Sequence, residues 1–282
     1  AGTPQLVASL NYDARHKTVD LHIEQVLPPT PGQPKKKPLH MPLRLGLLGT
    51  DGKELALVTS THNSAPHGII ELTKRSETFR FTGIDSRPVP SLLRGFSAPV
   101  NLTLDLADRD LQFLMANDSD LFNRWQATQD YAGRILIDAV KAFRNAKRPA
   151  KPATFIAALK ATIINETLEP AYRAQILAMP AQGDIARIIG QDVDPSAIHR
   201  ASVWLAKSIA TDLAEDLLGL YERHAVRSKY SPDSTQAGKR ALRNRALAVL
   251  FQRGKSEDIE RVVAHYDSAK NATDEILGLA LL

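Results

Sequence analysis

The sequence predicts two domains of different class: an immunoglobulin-like β-sandwich over residues 1–107, then an irregular helical array of the HEAT or armadillo kind over residues 108–282. Three observations predict this. Up to about residue 106, short apolar runs alternate with polar residues at the period of a strand. From Asp108 onward, apolar residues recur every three or four positions, the period of an amphipathic helix. Between them, residues 87–100 form an apolar hinge with three prolines and one glycine, running into the cleanest alternating stretch of the chain. A length of 282 residues suits two domains, and 43% apolar content can fill two cores.

Residues 5–27 read as a hairpin, with Val19, Leu21 and Ile23 on one face and Asp20, His22 and Glu24 on the other. Residues 28–38 hold five prolines, which exclude helix and central strand and suit a stiff crossover between sheets. Residues 40–58 read as a second hairpin, Leu43, Leu45 and Leu47 alternating before a turn at residues 50–53. Strands follow near residues 69–73 and 78–81, the latter with Phe79 and Phe81 opposite Arg80. Val100, Leu102, Leu104 and Leu106 complete six or seven strands. In the hinge, Phe96 and the row Val100, Leu102 and Leu104 are expected in the core, with Arg87 and Arg94 at its polar edges. On that placement Phe96→Ala costs about 3–5 kcal/mol.

The helical part opens with a short helix over residues 111–115, which the Asn117, Asp118, Ser119, Asp120 stretch ends before starting the next. On that next helix Trp125, Ala132, Leu136, Val140 and Phe143 share a stripe. A basic break at 144–152 precedes a helix with Phe155, Ala158, Leu159 and Ile163. Pro170 suits a first helical turn, and Asp184 reads as a cap for Ile185, Ile188 and Ile189. Asp194 and Pro195 give a capping carboxylate and an N1 proline for one helix carrying Leu205, Ile209, Leu213, Leu217 and Leu220. Ser231, Pro232 and Asp233 open a basic helix, and Ser256 reads as the cap of another. No strict repeat recurs, so the array is expected to be irregular.

The chemistry-bearing motifs are sparse. There is no cysteine, so thiolate chemistry and disulfides are excluded. None of the eight histidines forms a His-Glu-x-x-His motif, and His62 with His67 in one loop lacks a third ligand. Asp118, Asp120 and Asn123 resemble an oxygen-ligand loop but lack its glycine and terminal glutamate, and helix capping accounts for all three. No nucleophile elbow, phosphate loop or dinucleotide fingerprint occurs. Asn101 and Asn271 begin glycosylation-type triplets of a kind common by chance. The net charge of +5 concentrates in residues 223–255, where nine Lys or Arg lie without the aromatic interleaving of a stacking platform. A solvated face is the expected reading, with nucleic acid as the alternative partner. No apolar run is long enough for a membrane span. From residues alone, packing, shaping or binding is the expected role, with no catalytic, cofactor-binding or metal residue in view.

Several stretches together resemble the C-terminal half of bacterial aminopeptidase N, a zinc-dependent, thermolysin-like gluzincin aminopeptidase family. They are residues 28–34, residues 39–43, the hinge with Pro90, Leu93, Arg94, Phe96, Ser97 and Pro99, and the stretch with Asp118, Asp120, Arg124 and Trp125. Residues 239–244 and 271–274 join them in matching order. The resemblance implies a four-domain parent whose catalytic domain, with its zinc and its Gly-x-Met-Glu-Asn motif, is absent here. It implies no cofactor in this part and peptide substrates for the parent. The partners it implies are the parent's own N-terminal and catalytic domains. It also implies that the sandwich spaces the helical domain so that it roofs the active site, and the absence of cysteine fits a reducing, cytoplasmic compartment. The lack of an initiator Met and the apolar end at residues 276–282 fit a fragment whose helical domain is incomplete. A stand-alone helical-repeat interaction scaffold is the first alternative, and nucleic-acid binding through residues 223–255 the second.

Overall fold

The computed structural model describes residues 2–59 and 66–282 and divides into two compact units, Ala1–Ala127 and Thr128–Leu282. The first unit is a two-sheet sandwich with the opening of the helical part attached. Its strands are β1 (Gln5–Asp13), β2 (Thr18–Val26), β3 (Met41–Leu48), β4 (Val58–Thr59), β5 (Ile69–Leu72), β6 (Ser76–Thr82), β7 (Val89–Leu92) and β8 (Asn101–Leu104). One sheet runs β4-β6-β2-β1-β8 and the other β5-β3-β7. The first hairpin forms as its alternation requires, Leu10 opposite Leu21 and Tyr12 opposite Val19. Residues 28–38 carry the chain from one sheet to the other. Leu6, Leu21, Ile23, Phe79 and Phe81 of the first sheet join Leu43, Leu45, Leu47, Ile70 and Leu72 of the second in one buried cluster. The last strand, β8, lies parallel to β1. Leu102 and Leu104, with Val100, are half-buried against that cluster rather than inside it.

The second hairpin expected at 40–58 does not form. Its turn is present, with Gly49 N–H donating to the Lys53 carbonyl and Gly52 N–H to that of Gly49. The returning arm, however, makes only a bridge from Leu48 to Glu54, and β4 pairs with β6 of the other sheet. β3 instead pairs along its first half with β5 and along its second half with β7. Pro90 sits opposite Leu47 on β7, an edge strand, where a missing N–H is tolerated.

The helices are α1 (Asp108–Asn117), α2 (Leu121–Arg144), α3 (Ala153–Ile163), α4 (Pro170–Ile176), α5 (Gln182–Ile189), α6 (Pro195–Asp212), α7 (Ala214–Arg223), α8 (Ser234–Phe251), α9 (Ser256–Asp267) and α10 (Ala272–Leu281). Ala132, Leu136 and Val140 of α2 are buried, while Trp125 and Phe143 are partly exposed. Asp194 caps α6 through Ala197 N–H at 2.9 Å, and Asp233 caps α8 through Gln236 N–H at 3.0 Å. Asp184 is not a cap, because Ala181 holds that position and Asp184 lies in the first turn of α5. Ser256 is likewise the first residue of α9, with Lys255 at its cap. The single helix expected through Leu220 breaks at Leu213, a buried residue that ends α6 and begins α7. Within the second unit α8 packs on α4, where Gly238 lets the backbones close: a Cβ there would stand 3.3 Å from Ala171 N. A two-sheet sandwich thus precedes a series of helices.

Candidate functional site

The hinge is organised around Arg94, which is 7% exposed and not at a polar edge as its sequence context suggests. Its Nε donates to Ser91 Oγ at 2.8 Å, one terminal nitrogen to Glu54 at 2.7 Å and the other to Asp118 Oδ1 at 2.9 Å. The guanidinium lies where Gly46 has no side chain: a Cβ on Gly46 would stand 2.3 Å from Arg94 Cζ. Three matched acceptors offset the cost of removing this cation from water. The Asp118 side chain is 0% exposed. Burial pushes its carboxyl up, opposed in part by Ser91 and Arg94. Glu54 is half-exposed, and the Ser119 hydroxyl, then Arg94, hold its carboxyl below the usual range.

The same stretch ties β7 to the start of α2. Asp120 caps α2, accepting from Asn123 N–H at 3.0 Å, and its other oxygen accepts from Gly95 N–H at 3.0 Å. The Asn123 amide donates to Ser91 Oγ and to the Leu92 carbonyl, both at 2.8 Å. Helix capping therefore accounts for Asp120, whereas Asp118 serves chiefly as the partner of Arg94. Arg124 Nε reaches back to the Met115 carbonyl at 2.7 Å, and Ser97 Oγ accepts from Arg44 N–H at 2.9 Å. Arg87 forks onto Asp110 at 2.9 and 2.8 Å, as a residue at the hinge's edge. Pro99 is exposed.

Phe96 is a second correction. It is 67% exposed, against the core placement its apolar context suggests. Leu93, Gly95 and Phe96 have φ of 60°, 60° and 54°, so the chain turns left-handed around Arg94 and throws Phe96 outward as it draws Arg94 in. The Phe96 ring centroid lies 3.9 Å from that of Phe122, which lies 5.5 Å from Trp125.

A cleft of about 510 Å³ opens beside this network, lined by Arg44, Gly46, Glu54, His67, Arg94 and Asp120 among others. Within it the Ser119 hydroxyl donates to Glu54, whose carboxylate also accepts from Arg94, and each guanidinium nitrogen of Arg94 is committed to a protein acceptor. The arrangement anchors the hinge. His62 lies outside the described residues. Among the described residues no three His, Cys, Asp or Glu side chains converge as metal ligands.

The second unit holds another polar cluster, where residues 239–244 and 271–274 meet. Asn244 donates to Asp274 at 2.9 Å, and Asn271 both donates to Asp274 and caps α10 by accepting from its N–H at 3.1 Å. Arg243 lies over the Tyr221 ring, 4.6 Å from its centroid, and donates to the Tyr221 hydroxyl at 3.2 Å. That hydroxyl is 3.3 Å from His265 Nδ1. Burial, then the Arg243 charge, pushes the His265 pKa down. Nothing in the sequence pattern singles out His265; its role follows from three helices meeting around it. The basic stretch 223–255 is partly internal. Arg240 is buried over Tyr230 at 4.8 Å, and Arg253 forks onto buried Asp258 at 2.7 and 2.6 Å. Aromatics do therefore accompany these charges, but as supports for individual arginines.

Comparison with known proteins adds the following. Residues 108–282 match a family described as a domain of unknown function with ARM repeats (DUF3458_C), and residues 2–105 match a domain of unknown function with an Ig-like fold (DUF3458). The chain is 36% identical to aminopeptidase N of Caulobacter vibrioides, over 99% of its own length and 31% of that protein. It is 31% identical to aminopeptidase N of Escherichia coli (strain K12), over 99% of its length and 32% of that protein. A crystal structure of Legionella pneumophila aminopeptidase A in complex with aspartic acid matches with a TM-score of 0.81 at 24% identity, covering 100% of this chain and 31% of that one, a likeness of fold. The chain spans about a third of the length of these relatives.

Proposed function

We propose a function from the premise that this chain belongs to the DUF3458_C family, its ARM-repeat domain preceded by an Ig-like DUF3458 domain. It is the non-catalytic C-terminal portion of a zinc metallo-aminopeptidase that removes N-terminal residues from peptides. One observation carries this reading: both domains align, in order and over 99% of the chain, with a third of aminopeptidase N. The geometry supports an architectural role. Arg94, Asp118, Asp120 and Asn123 lock the sandwich to the first turn of α2, a stiff footing for a spacer.

In this reading the zinc and the peptide-bond chemistry belong to a catalytic domain outside these residues. The partners are that domain and the N-terminal domain of the same polypeptide. The sandwich spaces the helical array, which roofs the active site and excludes folded proteins. A cytoplasmic setting is part of the proposal, supported by the absence of cysteine from 282 residues. No helix described is long and apolar enough to cross a membrane.

The test is activity and metal content in two proteins. The full-length gene product is expected to hydrolyse amino-acid arylamides with bound zinc, and the 282-residue chain to show neither. Arylamidase activity that stays with the purified chain, or a full-length product without it, overturns the reading.

A further inference from the structure

Phe96 is more exposed than any other large apolar side chain among the described residues. It also sits on backbone that a bulky residue avoids, with φ of 54°, next to Gly95 at 60°. The turn that holds it is not loose. Arg94 is clamped by Ser91, Glu54 and Asp118, and Gly95 N–H by Asp120. Phe96 is thus an apolar ring on a rigid base, continued along the surface by Phe122 and Trp125. Phe122 and Trp125 are only partly exposed, so the surface presents one rigid, exposed ring backed by two half-covered ones, the kind of anchor that marks an interface.

We propose that the Phe96, Phe122 and Trp125 row is the surface on which the preceding part of the longer polypeptide docks. The proposal rests on the reading above, that the chain is the C-terminal portion of a longer aminopeptidase. Size argues for this occupant over a second copy. An aromatic side chain buries at most about 150–250 Å², so three fall short of the roughly 800 Å² per partner of a stable interface between separate molecules. A segment tethered in the same chain is held at high effective concentration and needs less area. The relatives, of which this chain covers 31–32%, carry such a segment.

Hydroxyl-radical footprinting with mass spectrometry tests this on the full-length protein and on the 282-residue chain. Labelling of Phe96 and Phe122 is expected to fall several-fold in the full-length protein and to be independent of concentration in the isolated chain. Equal labelling in the two proteins overturns the proposal. So does labelling in the isolated chain that falls as its concentration rises, which assigns the surface to a second copy. Arylamidase activity of the same full-length sample separates the two ideas: an active protein with unprotected Phe96 refutes the docking alone, and an inactive one with protected Phe96 refutes the enzymatic reading alone.

Discussion

Arg94 in the first unit and Arg243 in the second both hold a guanidinium away from water, and they do so differently. Arg94 is matched nitrogen by nitrogen, and its partners come from β7, from Glu54 and from the α1–α2 junction. Arg243 leans on a tyrosine ring with Asp274 3.9 Å away, and around it Arg243 Nε, Asn244 Oδ1 and His265 Nε2 each lie buried without a hydrogen-bond partner among the described residues, against Asp118 Oδ2 alone beside Arg94. The first arrangement fixes one geometry, because each donor has one acceptor to meet. The second is held by packing and by the Asn244–Asp274 bond, with a titratable ring inside it. The difference predicts that the first unit is brittle toward mutation and the second responsive to pH.

The largest effect tests the brittle side. Arg94→Met strands the fully buried Asp118 carboxylate and is expected to cost about 3–5 kcal/mol, read as a lower urea midpoint. Adding Asp118→Asn should recover part of that loss. A cost below about 1 kcal/mol would mean that Asp118 never depended on its cation. In the second unit, Asp274→Ala removes the acceptor of Asn244 and Asn271 and is expected to cost about 1–3 kcal/mol. Segment-resolved hydrogen exchange should place that loss in α8 to α10, and a loss confined to α10 would show that only the cap mattered.

The pH response sharpens the contrast. His265 and His224 both have pKa values pushed down, chiefly by burial, with nearby arginines adding to it. The unfolded chain therefore takes up protons first. The contribution of these histidines is full above about pH 6.5 and is lost as pH falls from there through their folded values, by at most about 1.4 kcal/mol per pH unit each. In the first unit the shifts oppose. Glu54 is pushed down, so its contribution is full above about pH 4.3 and lost as pH falls through its folded value. Asp118 is pushed up, so its contribution is present below about pH 3.9 and lost as pH rises through its folded value. Between pH 7.5 and 5.5, hydrogen exchange should show α7 to α9 weakening while the sandwich holds or gains. Parallel weakening of both units would remove the distinction.

The smallest effect falls on Phe96. In the isolated chain Phe96→Ala is expected to cost about 1 kcal/mol or less, the worth of a ring contact at the surface. A loss of 3–5 kcal/mol, the value that a core position would give, would contradict the exposed placement.

The strand and helix periods were legible because they are local. Val19, Leu21 and Ile23 had to share a face whatever their partners, and Asp194 before Pro195 had to start a helix. Pairing was not legible. The turn at Gly49–Gly52 formed, yet the arm beyond it pairs with β6, a strand of the other sheet and distant in sequence. Arg94 and Phe96 exchanged their expected places for a similar reason. The pocket for Arg94 is made by an absent side chain at Gly46 and a carboxylate at Asp118, neither of them near it in sequence. Three left-handed residues cannot be read from an apolar stretch in which only Gly95 signals one. His265 became a buried, perturbed group only through its neighbours on other helices.

The parallel pairing of β1 with β8 carries a mechanical consequence. The sandwich is entered at the start of β1 and left at the end of β8, so tension along the chain pulls these strands in opposite directions along their length. The register pairs from Gln5↔Asn101 to Ala8↔Leu104 are then loaded together in shear, not peeled one at a time. Forced unfolding is governed by the height of the unfolding barrier, and rupture of the whole ladder at once raises it. A single-molecule pull from residue 2 to residue 107 should meet a higher rupture force than one applied across the β1–β2 hairpin, which unzips from its open end.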